Sequence, residues 1–169
     1  MQQPIALSDF SLEKEDGSYF TKSDLQDKWT IMYFGFSNCP SECPVTMSEL
    51  RKLINTLREK DFELYDKQWI LVTIDPERDS AKDIDFYASR FDSSFVGLRA
   101  ERPTLLSLTT QLNVAKVKPM KNEMHSIEDL SKHVNNIILI NKDAEYFGFF
   151  RPPFDISKLS LTYQSVTTQ

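Results

Sequence analysis

The stretch WTIMYFGFSNCPSECPVTMSELRKLINTLREK, residues 29 to 60, passes through three patterns in succession. Trp29 to Phe36 is a continuous apolar run bounded by polar residues, as expected of a strand buried on both faces. A loop follows that holds both cysteines of the chain, Cys39 and Cys43, each with a proline after it. From Val45 to Lys60 the period changes to that of a helix, with Met47, Leu50, Leu53, Ile54 and Leu57 along one face. Pro44 suits the first helical position, where its missing N–H costs nothing. A strand thus delivers two thiols at its carboxyl end, and a helix carries the chain away.

Outward from this unit the alternation of strand and helix continues. Upstream, residues 5 to 25 alternate around Asp16-Gly17, which predicts a tight hairpin turn. Downstream, Trp69 to Asp75 reads as a second buried strand, followed by a helix over 80–91. Residues 95–100 form a shorter strand candidate, and Pro103 opens a third helix to Leu112. Residues 115–132 fit neither period and read as an irregular or hairpin-like insertion. A strand from Val134, a turn at Lys142-Asp143, a strand over 145–150 and a closing helix over 154–166 complete the chain. The order predicts an α/β fold with a central mixed sheet flanked by helices, the thioredoxin-like arrangement, with an N-terminal hairpin.

At 169 residues, the chain is read as a single domain, 1–169, burying about 70% of its unfolded surface. It needs no disulfide or metal to fold, so the cysteines are available for function. Twelve Phe, six Tyr and two Trp supply a packed core. The net charge of −5 and the scattered positive charges exclude a nucleic-acid footprint. No apolar run approaches the ~20 residues of a membrane span. The molecule is expected to be soluble as given, with any membrane anchor absent from this sequence.

If the strands ending near Phe36 and Ile74 are parallel, their loops open on one edge of the sheet. The strand from Val134 then runs antiparallel, and its amino end, preceded by His133, reaches the same edge. Two thiols and one imidazole converge. Positions four apart on a continuous helix are about 5–6 Å from each other at Cβ, wider than the ~3.8 Å of a disulfide. Cys39 must therefore sit in the loop, with Cys43 near the helix start. The helix amino end lowers the Cys43 thiol pKa and makes thiolate available. Two thiolates and an imidazole suit Cu(I), or Cu(II) with an added oxygen ligand. A structural zinc site would want a fourth protein ligand.

The other candidate groups have plainer accounts. Asp75-Pro76 favours a turn, and Asp79 is well placed to cap the helix that follows; either could instead orient a ligand or meet a partner. Met120, Met124 and His125 add copper-capable groups in the insertion, although an ordinary solvent-exposed side chain is the simpler account of His125. Phe149-Phe150-Arg151-Pro152-Pro153 reads as a packing and turn element that could also rim a docking surface.

These segments together resemble the Sco/SenC family of copper-binding thioredoxin-fold proteins. The resemblance runs from about Phe10 to the carboxyl end, through YFGFSNCPSECP, DPERDS, a histidine before IILI, and FRPPFD. It implies copper ligands at Cys39, Cys43 and His133, with Asp75 and Asp79 on the family's paired-aspartate motif. It further implies one bound copper, delivered to, or used in maintaining the thiols of, the binuclear copper site of cytochrome c oxidase or another copper protein. Family members usually face the bacterial periplasm or the mitochondrial intermembrane space from one N-terminal membrane helix. One departure is Lys132, where the family commonly has aspartate. The alternatives are a thiol-disulfide oxidoreductase, with Cys39 as nucleophile and Cys43 resolving, and a copper or redox sensor. A single-cysteine peroxidase lacks its supporting Thr and Arg here.

Overall fold

The computed structural model describes residues 3–38, 42–112 and 136–168, apart from the side chains of Glu42 and Cys43. Its main sheet has six strands in the order β1-β8-β7-β4-β5-β6. In chain order these are β1 (Ile5–Ala6), β4 (Trp29–Gly35), β5 (Lys67–Thr73), β6 (Phe95–Leu98), β7 (Ile137–Ile140) and β8 (Glu145–Phe150), while β2 (Ser11–Glu13) and β3 (Tyr19–Thr21) form a separate hairpin. The apolar run from Trp29 is the central strand, buried at every residue of β4. It pairs in parallel with β5 and antiparallel with β7. That burial on both faces explains why its sequence shows no alternation.

Four helices, α1 (Glu42–Glu59), α2 (Ala81–Ser89), α3 (Arg102–Gln111) and α4 (Ile156–Thr167), connect or close the described strands. The α1 face read from the sequence is the buried one, with Met47, Leu50, Leu53, Ile54 and Leu57 all fully buried. Helices α1 and α4 pack against each other, and Tyr163 of α4 lies 5.4 Å from the Trp69 ring of β5. On β6, the N–H of Gly97 donates to Asp85 of α2 at 2.9 Å. A Cβ at Gly97 would run into the backbone of Ile84 and Asp85, so only glycine lets the helix come this close.

The N-terminal hairpin turns tightly at Asp16-Gly17, as expected. The Gly17 N–H donates to Lys14 O at 3.1 Å and the Lys14 N–H to Ser18 O at 2.9 Å, so three residues, 15–17, make the loop. Asp16 accepts from the Ser18 N–H and O–H, and Gly17 takes φ 88°, which glycine adopts without strain. Two local expectations are corrected. Helix α1 starts at Glu42 rather than at Pro44, which is its third residue. The first four N–H groups of a helix have no partner within it, so proline is tolerated there too. Asp79 does not cap α2; Ser80 does, in a reciprocal capping box with Asp83.

Away from the site, Asp92 ties α1 to the turn before β6. Its carboxylate takes a two-pronged bond from Arg58, at 2.7 and 3.1 Å, and two more from Ser94. Burial alone would raise its pKa, but the Arg58 and Ser94 bonds outweigh it and hold the group at about 2. A depressed folded-state pKa means stability that is present above the ordinary aspartate range and is lost as pH falls toward 2. Urea midpoints should therefore fall between pH 5 and pH 2, and Asp92→Asn should flatten part of that slope. An Asp92→Asn variant with an unchanged pH profile would contradict the assignment.

Candidate metal centre

The parallel register of β4 and β5, from Trp29 opposite Lys67 to Gly35 opposite Thr73, puts their carboxyl ends side by side. The Ile74 N–H donates to Gly35 O at 2.8 Å and carries the pairing one step past the strands. Met32 lies opposite Ile138 in the antiparallel β4–β7 pair, so β7 enters the sheet at this same edge. The carboxyl ends of β4 and β5 and the amino end of β7 thus lie at one edge of the sheet.

At that edge Cys43 is the second residue of α1. Its backbone lies in the first turn, where unpaired N–H groups and the helix dipole favour a thiolate. Cys39, His133, Lys132, His125, Met120 and Met124, and the side chain of Cys43, lie outside the described residues. The strand read from Val134 begins at Ile137 among the described residues. Within them, no three His, Cys, Asp or Glu side chains cluster as a metal site.

The two aspartates after β5 have different surroundings. Asp79 is 2% exposed, and Asp75 is also buried. Asp79 accepts from the Ser37 N–H at 3.0 Å, from the Ser37 hydroxyl, and from the Thr73 hydroxyl at 2.9 Å. Asp75 has its Oδ2 buried with no hydrogen-bond partner among the described residues. Arg78 Nε stands 3.8 Å from that oxygen. Burial pushes the Asp75 carboxyl above its usual range, and Arg78 only partly offsets this. The loop around them is braced from outside. Arg102 makes a two-pronged pair with Glu77, each bond 2.7 Å, and Arg99 Nε donates to Pro76 O at 2.9 Å. Sequence reasoning found both aspartates but not Thr73, or Ser37, which lies 42 positions from Asp79.

A rim lies beside α1. Val45, Thr46 and Glu49 of its first turns face Pro152, Pro153 and Phe154 across a groove of about 410 Å³. The Arg151 guanidinium sits 5.7 Å from the centre of the Phe149 ring, which is 44% exposed. The FRPPF segment thus forms one wall of a groove whose other wall is the helix that carries Cys43.

Sheet order and crossover helices define a thioredoxin-like α/β fold. A family model described as SCO1/SenC matches residues 2–167, and the chain belongs to the SCO1/SenC family. It is 30% identical over 155 residues to a protein of Stutzerimonas stutzeri named for copper binding, covering 91% of this chain and 73% of that one. It is 31% identical over 150 residues to the mitochondrial SCO1 homolog of Homo sapiens, covering 88% of this chain. The chain spans only 48% of that human protein and 44% of the Arabidopsis thaliana SCO1 homolog 1. Among solved structures, Arabidopsis thaliana ScoI with copper bound superposes with a TM-score of 0.75 at 25% identity, covering 94% of this chain and 95% of that one.

Proposed function

We propose that this chain is a Sco-type copper chaperone, organised as a single domain over residues 1–169. Copper would be its cargo, held between Cys39 and Cys43 with His133 completing the ligand set. The observation that carries the reading is the shared edge: β4 and β5 end there, β7 begins there, and Cys43 occupies the first turn of α1. Membership of the family supports copper as the ion. Two thiolates and an imidazole form a soft, low-coordinate set that suits Cu(I). Few bonds at an open edge also allow a partner to take the ion by ligand exchange.

The recipient in this reading is the binuclear copper site of cytochrome c oxidase, whether loaded with copper or kept reduced. The protein would act on the periplasmic side of the bacterial inner membrane or in the mitochondrial intermembrane space, held by an N-terminal anchor. No helix of the described residues is long and apolar enough to cross a membrane. Oxidation of the two cysteines to a disulfide would remove both thiolates, so redox state gates loading. Asp75 and Asp79 stand next to the ligand loop as orienting or partner-contacting groups.

His133→Ala distinguishes this reading from a thiol-disulfide reductase. The reduced variant, loaded with Cu(I) and desalted, should hold well under one copper per chain, where the parent chain holds one. Reduction of a partner disulfide by Cys39 and Cys43 should continue, because it uses no imidazole. Full copper occupancy without His133 would remove that residue from the site.

A further inference from the structure

We infer that Asp79 is a positioning residue for the copper loop: it fastens Ser37, two places ahead of Cys39, to the turn after β5. This rests on the copper reading above and adds a device that sets how tightly the ion is held.

A polar side chain this deeply buried needs hydrogen-bond partners for its oxygens. Here Oδ2 accepts from the Ser37 N–H at 3.0 Å and from the Thr73 hydroxyl at 2.9 Å, and Oδ1 accepts from the Ser37 hydroxyl. Helix α2 does not need it, because Ser80 and Asp83 supply the cap. The backbone of Asp79 is itself fixed, its N–H donating to Asp75 O at 2.9 Å. Thr73 lies at the end of β5, paired with Gly35 at the end of β4, so the clamp joins both strand ends to the start of the cysteine loop. A loop held at its root loses less freedom when an ion orders it, so affinity rises with no change of ligand.

The chemistry of the clamp allows a sharp test. In Asp79→Asn, the amide oxygen can accept from the Ser37 N–H and the Thr73 hydroxyl. The amide NH2 can donate to Ser37 Oγ, whose proton rotates away. All three contacts survive without the charge. Asp79→Ala keeps none of them. Cu(I) affinity of the reduced protein, measured by competition with a chromophoric Cu(I) chelator, should therefore drop about 10- to 100-fold in Asp79→Ala. It should stay within about threefold of the parent in Asp79→Asn, with the absorption spectrum of the loaded site unchanged in both. Ser37→Ala, which deletes one donor from the clamp, should weaken copper several-fold; it decides the matter if Asp79→Ala fails to fold.

Equal losses in the Asn and Ala variants would show that the charge acts, not the clamp, and would overturn the inference. So would an Asp79→Ala or Ser37→Ala protein of lowered urea midpoint but parental copper affinity, since a merely structural contact behaves that way. A parent chain that takes up no copper overturns the chaperone reading itself. The parent titration, run first, separates that failure from a failure of the clamp.

Discussion

Cys43→Ala is expected to lose copper almost completely, with affinity for Cu(I) falling at least about a thousandfold, or about 4 kcal/mol. The size follows from the ligand set. Thiolates are what make the proposed site selective for a soft ion, and removing one of two leaves a single sulfur and an imidazole. Cys39→Ala should behave alike. Neither change should reach the core. Cys43 is the second residue of α1, and the helix is anchored from Met47 onward by fully buried side chains. Alanine is also a good helix former, so the urea midpoint should move by no more than about 0.5 kcal/mol equivalent. Copper counted after desalting, beside a denaturation curve, checks both halves. A Cys43→Ala protein that keeps one copper would place the ion elsewhere.

Gly97→Ala is expected to destabilise the fold by about 3 kcal/mol, from overpacking and disturbance of a hydrogen bond. The β6 backbone touches α2 at this point with no room for a Cβ, because the backbone of Ile84 and Asp85 occupies that space. Backbone cannot swing aside as a side chain can. The helix must lift, which disturbs the Gly97 N–H bond to Asp85 and the buried Ile84 and Ala88. Gly148 provides the contrast. It also lies in a strand, β8, but a Cβ there meets nothing within 4 Å. Gly148→Ala should therefore be neutral or stabilising by up to about 1 kcal/mol, since alanine restricts the unfolded chain. Urea denaturation of the two variants should move the midpoint in opposite directions or leave Gly148→Ala unmoved, with a parental slope. Equal losses at the two positions would contradict the close approach of α2.

The parts of the fold that announced themselves were those with strong local patterning. The apolar run from Trp29, the α1 stripe and the turn at Lys142-Asp143 all lie where they were expected. Two elements went unread because they carry little signal. Strand β1 is only Ile5–Ala6, exposed at both residues, and it exists because it pairs with β8 far along the chain. The 3-10 turn Lys22–Leu25 is held by Asp24, which accepts from the Thr21 N–H. Capping misled for a related reason. Asp79 and Ser80 both suit an N-cap, and the S-x-x-D spacing to Asp83 was the local clue favouring Ser80. What commits Asp79 inward is Ser37, a tertiary contact invisible to any window along the chain.

The candidate site divides along the same line. Its cysteine loop, its paired aspartates and the edge on which they meet follow from residue type and from the rules of parallel crossover. The groove beside α1 does not, since Val45 and Pro153 are more than 100 positions apart and meet only because FRPPF folds back along the helix. The aromatic, arginine and proline residues of 149–153 hinted at a rim, and Val45, 61% exposed on an otherwise well-patterned helix, marks where it lies.

X-ray absorption at the copper edge of the reduced, Cu(I)-loaded protein tests the central claim most directly. Two sulfur neighbours and one imidazole nitrogen are the expected shell, with the nitrogen lost in His133→Ala and a sulfur lost in Cys43→Ala. A shell of the parent protein that contains no imidazole, or one that survives both substitutions unchanged, would contradict it.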